Sequence, residues 1–240
     1  MFTGQRAIIT GGTSGIGRAI ALALADAGCD VTATGVAADE VARFSSDPGG
    51  RNVSTGVLDV SDGGAVASFV SRFDRVDILV NAAGMILRDM AEFNIEHFER
   101  VIGVNLSGAM RMSTACHPLL ARNGGSILNV ASMLSFFGSG AAPAYSASKG
   151  GVAQLTKSLA IAWAPDRIRC NAIAPGWIAT ALTQPLQDNE SRSRTIIERT
   201  PMRRWGQPAD VAGPALFLLS PAAAFVTGVI LPVDGGYSIA

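Results

Sequence analysis

Lysine and tyrosine are scarce in this 240-residue chain, which contains two of each. Seventeen of the nineteen basic residues are arginines, so almost every cation is a guanidinium group. One tyrosine and one lysine nevertheless stand four residues apart in the stretch YSASKGG, as Tyr145 and Lys149. Because a compact ammonium and a planar guanidinium suit different chemistry, a lysine beside a tyrosine predicts a functional pair.

Net charge and long apolar runs are also lacking. The formal net charge is zero and 16% of residues are charged, which provides no basic surface for nucleic acid or an anionic membrane. Polar residues and glycines interrupt every apolar stretch before the roughly eighteen residues that a membrane span needs. The opening MFTGQRAIITGG does not have the pattern of a signal peptide. We therefore expect a cytoplasmic protein with no nucleic-acid or membrane partner.

Cysteine and histidine are too few and too scattered for a disulfide framework or a metal site. Cys29, Cys116 and Cys170 are widely spaced among apolar neighbours, which is typical of buried, reduced thiols. His97 and His117 have no cysteine or carboxylate at ligand spacing. The sequence therefore predicts no bound metal.

Short apolar segments alternate with longer amphipathic ones, the pattern of βαβ units in a parallel sheet. The predicted strands cover 6–10, 30–34, 53–59, 76–81, 125–131, 168–174 and 229–234. Helices are expected near 16–27, 62–72, 94–120, 145–163 and 208–219. No linker or repeat interrupts the series, so we predict one α/β domain over residues 1–240. The polar, arginine-rich residues 180–205 fall outside this alternation and are predicted to form a substrate lid.

A glycine-rich loop follows the first predicted strand and opens the first helix. In TGGTSGIG, the glycines Gly11, Gly15 and Gly17 have the spacing G-x-x-x-G-x-G. Without Cβ atoms there, the backbone can turn tightly and its N–H groups can approach a pyrophosphate at the helix N-terminus. The spacing differs from both the G-x-G-x-x-G fingerprint and the phosphate loop of nucleotide hydrolases. Its placement between strand and helix predicts a dinucleotide site.

Tyr145 and Lys149 lie one turn apart on a predicted helix, so their side chains share a face. A phenol has a pKa near ~10, and an ammonium about 4 Å away could lower it by ~2–3 units before desolvation opposes the effect. Such a phenol is a competent general acid/base for a secondary alcohol or its ketone. Ser132, at the end of a predicted strand, can hydrogen-bond the substrate oxygen.

Several short motifs occur in one order along the chain. They are TGGTSGIG at 10–17, LDV at 58–60, NAAG at 81–84, Asn105 in VNLSG, Ser132 in ASM, Tyr145-x-x-x-Lys149 and PGWIAT at 175–180. In this order and spacing, the chain resembles the short-chain dehydrogenase/reductase family over essentially its whole length. The resemblance implies a Rossmann-type fold, with a doubly wound, seven-stranded parallel sheet and helices on both faces. Ala82 departs from the family pattern, which usually has asparagine there.

The resemblance also implies roles for individual residues in an NAD(P)-dependent oxidoreductase. Its catalytic residues would be Asn105, Ser132, Tyr145 and Lys149, with Tyr145 as the proton donor or acceptor. The implied cofactor contacts are Gly11, Thr13, Ser14, Gly15, Ile16, Gly17, Thr34, Asp59, Val60, Asn81, Ala82, Gly84, Tyr145, Lys149, Pro175, Gly176, Ile178 and Thr180.

The end of the second predicted strand indicates which dinucleotide is bound. A carboxylate there favours NAD, whereas a nearby base favours the 2′-phosphate of NADP. This chain has Thr34 and Gly35 at that point, followed by Asp39 and Glu40, which would repel a phosphate. We therefore expect a slight preference for NAD.

Two stretches, ASMLSFFG (131–138) and PMRRWGQPAD (201–210), resemble the subgroup of the family that acts on sugar acids and polyols, such as 2-deoxygluconate and gluconate dehydrogenases. The expected substrate contacts are Arg88, Ser132 and Tyr145. Reduction of 3-oxoacyl groups on acyl carrier protein stays open, because the arginines in 192–204 could dock an acidic carrier. A non-catalytic dinucleotide-binding regulator also stays open. Family resemblance implies a homotetramer formed through the helices near 94–120 and 145–163.

Overall fold

The computed structural model describes residues 1–47 and 52–240. Seven parallel strands form one sheet in the order β3-β2-β1-β4-β5-β6-β7. The strands are β1 Arg6–Thr10, β2 Asp30–Gly35, β3 Val53–Val57, β4 Ile78–Asn81, β5 Gly125–Val130, β6 Ile168–Pro175 and β7 Ile230–Val233. All seven predicted strands are confirmed, although the one predicted over 53–59 ends at Val57 and that over 76–81 begins at Ile78.

Helices connect the strands in the right order for parallel βαβ units. They are α1 Gly15–Asp26, α2 Ala38–Ser46, α3 Gly63–Val70, α4 Ile95–Ile102, α5 Gly108–Leu120, α6 Pro143–Ala162, α7 Gln184–Gln187, α8 Glu190–Arg199 and α9 Pro208–Leu219. The sequence did not predict α2. The helix predicted over 94–120 is divided by a π-helical turn at Gly103–Ser107. Among the described residues, none of the helices has the length and hydropathy to cross a membrane.

Helices cover both faces of the sheet, as the fold class predicts. Successive side chains of a strand point to opposite faces, so neighbouring positions join different cores. Ile9 and Val80 pack in the core beneath α1 and α9, while the adjacent Ile8 and Leu79 pack beneath α3, α5 and α6. Because each strand is buried on both sides, its sequence is a nearly continuous apolar run.

The strand order reverses at β1, which lies between β2 and β4. The chain builds β1, β2 and β3 outward in one direction and then crosses to β4 on the other side of β1. The loops after β1 and β4 therefore diverge, and a crevice opens between them at the carboxyl edge of the sheet. This crevice is where open α/β sheets bind their ligands.

Residues 180–205, the predicted lid, contain a 3₁₀ turn at Ala181–Thr183 followed by α7 and α8. The segment leaves and re-enters the fold at one place, because Ile178 and Gly206 form a parallel β-bridge. The Ala179 N–H donates to the Gly206 carbonyl at 2.8 Å, and the Gly206 N–H donates to the Trp177 carbonyl at 2.9 Å. A closed base of this kind is typical of a compact surface loop.

Candidate active site

The glycine loop brings bare backbone to the crevice. Gly11 has φ of 62°, and a Cβ there would lie 2.8 Å from the Ala83 backbone. A Cβ at Gly17 would overlap the Gly11 carbonyl oxygen, so the loop can pack against α1 only without side chains. Ser14 precedes α1 but makes no side-chain cap, which leaves the first N–H groups of the helix without a side-chain partner. These groups and the helix dipole fit a pyrophosphate.

Two cavities, each of about 310 Å³, open on either side of this loop. The Tyr145 cavity lies beside Ser132, Tyr145 and Lys149, and the Glu40 cavity lies beside Glu40 and Asp59. Both are bordered by the residues that they share, Gly11, Ser14 and Gly84. Together they form a bipartite cleft with its phosphate-binding backbone in the middle, which suits the two halves of a dinucleotide.

Ser132, Tyr145 and Lys149 are brought together by β5 and α6. Ser132 follows β5, and its Oγ accepts the Leu134 N–H at 3.2 Å while capping a 3₁₀ turn. Lys149 is 5% exposed; its Nζ donates to the Val130 carbonyl at 2.6 Å and lies 5.5 Å from the centre of the Tyr145 ring. The predicted pair therefore does share one face of α6.

Burial dominates the titration of both groups. It raises the pKa of Tyr145, and the Ser132 hydrogen bond opposes this shift while the Glu92 carboxylate adds to it. Burial also lowers the pKa of Lys149 from 10.5 to about 8. The sequence-based expectation of a lowered Tyr145 pKa is therefore wrong for the protein alone, because removing the phenol from water is the largest influence on it and raises the pKa.

Asn105 lies in the π-helical turn between α4 and α5. Its Oδ1 accepts the Met85 N–H at 2.8 Å, and its Nδ2 donates to the Met85 carbonyl at 2.9 Å and to Ser148 Oγ at 3.0 Å. A Cβ at Gly84 would lie 3.4 Å from Asn105 Oδ1 and 3.6 Å from Lys149 Nζ. Asn105 thus borders the same corner of the cleft as Lys149, held there by a turn that is wider than an α-helical one.

Most predicted cofactor contacts border the cleft. The Tyr145 cavity is lined by Gly11, Ser14, Gly15, Ile16, Gly17, Ala82, Gly84, Tyr145, Lys149, Pro175, Gly176, Ile178 and Thr180. Asp59 and Val60 line the Glu40 cavity. Thr13, Thr34 and Asn81 line neither cavity.

Thr34 is fully buried at the end of β2, and Asn81 points into the core. The Asn81 amide donates to Asn129 Oδ1 at 2.9 Å and to Ser113 Oγ at 3.1 Å, which ties β4 to β5 and α5. The side chain of Asn81 therefore links β4 to β5 and α5, and the next residue, Ala82, has no side-chain amide to offer the cleft.

Glu40 also lines the cleft, although no sequence motif identified its contacts there. It reaches back from α2 to accept a hydrogen bond from the Thr13 hydroxyl. A Cβ at Gly35 would lie 3.2 Å from Glu40 Oε1, so the carboxylate stands over the end of β2. In the same cavity, hydrogen bonds from Ser61 hold the pKa of Asp59 below its usual range. The sequence offered only one signal, the acidic pair Asp39 and Glu40 shortly after the strand.

Arg88 is bonded to a residue that lines the cleft. Its Nη2 donates to the Leu182 carbonyl at 2.6 Å, and Leu182 lines the Tyr145 cavity from the 180–205 segment. The two following residues, Asp89 and Met90, have φ of 56° and 60°, which is rare for residues with side chains. The predicted substrate contact Arg88 therefore lines neither cavity itself, but it is bonded to a residue of the predicted lid that does.

A helix start suited to phosphate lies at the switch point, beside a half-buried tyrosine and a buried lysine and serine. This combination defines a dinucleotide-dependent oxidoreductase. The family model described as enoyl-(acyl carrier protein) reductase matches residues 11–238. The chain belongs to the short-chain dehydrogenase/reductase family, whose members act on hydroxyl groups with NAD or NADP.

Similar proteins match nearly the full length. A 2-dehydro-3-deoxy-D-gluconate 5-dehydrogenase of Bacillus subtilis (strain 168) is 44% identical, covering 98% of this chain and 94% of the relative. A gluconate 5-dehydrogenase of Gluconobacter oxydans (strain 621H) is 34% identical, covering 99% and 96%. The crystal structure of a gluconate 5-dehydrogenase from Burkholderia cenocepacia J2315, in complex with NADP and tartrate, superposes with a TM-score of 0.92 at 34% identity, covering 100% of this chain and 97% of that one.

Proposed function

We propose that this oxidoreductase is a sugar-acid dehydrogenase that interconverts a secondary hydroxyl and a ketone. The observation that carries the proposal is the cluster of Ser132, Tyr145 and Lys149 in a cavity that is continuous with the glycine-loop cleft. The names of the relatives, which act on gluconate and a dehydro-deoxygluconate, support the substrate class.

Tyr145 acts as the general acid/base in this proposal. Burial favours its protonated form, which suits donation of a proton to the oxygen of a ketone. In the oxidation direction the phenolate of Tyr145 takes the proton of the substrate hydroxyl and becomes a neutral phenol, and Lys149 and Ser132 stabilise the negative charge that the phenolate carries before this transfer. A bound nicotinamide supplies or accepts the hydride. Asn105 holds the Met85 backbone beside this site through two hydrogen bonds. We infer that it keeps in place the groups through which the proton of Tyr145 is exchanged with solvent.

Arg88 supports a carboxylate-bearing substrate. Its guanidinium is bonded to an uncharged backbone carbonyl, that of Leu182, and Leu182 lines the Tyr145 cavity. A substrate carboxylate would make a stronger, charge-assisted contact with the same group. We therefore assign Arg88 to the acid end of the substrate, and Ser132 and Tyr145 to the reacting oxygen.

Replacing Tyr145 with Phe tests the assignment of the acid/base. We expect kcat to fall by at least about a hundredfold because the transferable proton is lost. NADH affinity, measured by fluorescence, should stay unchanged since the cleft backbone is untouched. Turnover close to that of the wild type would exclude Tyr145 as the acid/base.

A substrate panel of aldonates, ketoaldonates, polyols and a 3-oxoacyl thioester tests the substrate class. Reduction of the thioester is the second candidate, and the exposed arginines Arg192, Arg194 and Arg203 beside the cleft favour it as a docking surface for an acidic carrier. A protein that binds NADH but turns over no member of the panel would instead be a dinucleotide-binding regulator.

We infer a preference for NAD over NADP. Glu40 and Asp59 border the cavity at the end of β2, where a 2′-phosphate would meet negative charge. The relative from Burkholderia was crystallised with NADP, so NADP is the alternative that the test must separate from NAD. The kcat/KM ratio for NADH over NADPH should exceed one and should decrease in Glu40→Gln. A tenfold preference of the wild type for NADPH would refute the inference.

The proposed assembly is a cytoplasmic homotetramer. Large apolar side chains are exposed on α5, α6 and α9, including Met110, Ile161 (79% exposed) and Phe217, and Phe225 beyond α9 is fully exposed. Apolar surface of this kind marks interaction sites. Light scattering at micromolar concentration tests the assembly, and a monomer there would contradict it.

A further inference from the structure

Glu92 is a buried carboxylate that the proposed mechanism does not use. It lies on a 3₁₀ turn at Ala91–Phe93 and is 1% exposed. Its two oxygens accept different backbone donors, Oε1 from the Leu87 N–H at 3.0 Å and Oε2 from the Tyr145 N–H at 2.9 Å. Burying a carboxylate is costly unless it is paired in this way, so its presence calls for a function.

The Tyr145 end of this arrangement replaces a missing helix cap. The catalytic helix α6 begins at Pro143 after Ala142, and Ala142 has no side-chain oxygen to accept the first N–H groups. Glu92 reaches in from another part of the chain and supplies both the acceptor and a negative charge at the positive end of the helix. The backbone that carries the Tyr145 phenol is thus fixed by Glu92.

The Leu87 end fixes the loop that carries Arg88. This loop continues through Asp89 and Met90, which have left-handed backbone conformations, to Glu92. The hydrogen bond from the Leu87 N–H to the Glu92 carboxylate therefore joins the two ends of a short, strained loop. The geometry therefore holds the proton-transfer group and the proposed carboxylate-binding group at a fixed separation through one side chain.

We propose that Glu92 is a positioning residue that sets the placement of Tyr145 relative to Arg88. The proposal rests on the proposed function, in which Tyr145 is the acid/base. Lys149 from the same helix lies against the Tyr145 ring, and Ser132 hydrogen-bonds the phenol. The Glu92 carboxylate bonds the backbone N–H of Tyr145, and its negative charge raises the pKa of the phenol. Removing the Glu92 charge removes the anion that opposes ionisation of Tyr145.

The test compares Glu92→Gln and Glu92→Asp with the wild type. In Glu92→Gln, the pH at which kcat for alcohol oxidation reaches half its maximum should fall, because a neighbouring negative charge is lost. In Glu92→Asp the charge stays, so the midpoint should stay, but kcat should fall roughly tenfold because the shorter side chain cannot reach both N–H groups. Glu96→Gln, on the exposed side of α4, is the matched control and should change neither quantity.

A second measurement does not depend on turnover. The chain has only two tyrosines, so subtracting the ultraviolet titration of the corresponding Tyr145→Phe protein isolates the ionisation of Tyr145. The Tyr145 midpoint should be lower in Glu92→Gln than in the wild type, even if no sugar acid proves to be a substrate. A Glu92→Gln protein with a wild-type midpoint and only a lower Tm would overturn the proposal. If Glu92→Gln does not fold, a Glu92→Asp protein with wild-type kcat and KM would overturn it.

Discussion

Lys149 is the residue on which burial has its clearest electrostatic effect. Its ammonium is enclosed by the protein and bonded to the Val130 carbonyl, and burial lowers its pKa to about 8. An arginine at this position would stay charged at every accessible pH, so only lysine can lose its proton there. The scarcity of lysine elsewhere in the chain made this position visible in the sequence, but the direction of the shift depends on burial that composition does not reveal.

The Lys149 shift predicts a specific pH dependence of stability. Between pH 8 and the ordinary value of 10.5, the unfolded chain keeps a proton that the folded chain has lost. The contribution of Lys149 to the free energy of unfolding therefore rises with pH across this window and is least favourable below it. Urea unfolding of the wild type and Lys149→Met at about pH 7 and about pH 10 measures this contribution, because other groups cancel in the difference. A difference between the two proteins that is constant with pH would show that Lys149 keeps its ordinary pKa in the fold.

At the scale of secondary-structure elements, the strands of the sheet could be predicted from the sequence, whereas the irregular turns could not. Each strand is a short apolar run between polar turns, so periodicity alone located all seven. The π-helical turn at Gly103–Ser107 has no such signature, because its residues continue the helical pattern on both sides. The hydrogen bond from Thr13 to Glu40 and the role of Glu92 were missed for a related reason, since each joins residues that are far apart in the chain.

The junction between β1 and α1 predicts the effect of one added methyl group. In Gly17→Ala the new Cβ would overlap the Gly11 carbonyl, so the loop must move and dinucleotide affinity should fall by at least about tenfold. Gly63→Ala is the matched control, because a Cβ at that exposed helix start meets nothing within 4 Å. It should keep wild-type affinity and gain up to about 1 kcal/mol in stability. Equal NADH dissociation constants for both variants in fluorescence titrations would show that the loop tolerates a side chain.

At the scale of the whole molecule, the cleft is closed on one side by residues 180–205, which we propose as a lid. Most of the segment is exposed, and its hold on the body includes the Arg88–Leu182 hydrogen bond and the buried Ile196. Arg199 at the end of α8 also stacks on the Tyr237 ring at 4.2 Å. The Met202 N–H also donates to the Gly235 carbonyl, and Arg204 pairs with Asp210, so the segment is anchored at its C-terminal end. We expect the exposed residues of α7 and the start of α8 to be the part that opens at low energetic cost.

The lid proposal predicts a change in hydrogen exchange. Amides in 182–200 should exchange quickly in the protein alone and more slowly when dinucleotide and a sugar acid are bound, because closure buries them. Arg88→Met should speed exchange in the unliganded protein by removing the bond to Leu182. Equal protection of the segment with and without ligands would instead identify a static wall.

Because Ile178 and Gly206 form a β-bridge, the residues between them could be exchanged as one unit. Since the chain departs and returns through adjacent hydrogen-bonded residues, the length and content of the insert are decoupled from the sheet that fixes the cofactor. Loop-closure entropy changes little with length, so exchanging the insert for that of a relative carries a small thermodynamic penalty. Substrate choice in such a scaffold can diversify by recombination at two neighbouring points while the proton-transfer apparatus is inherited unchanged.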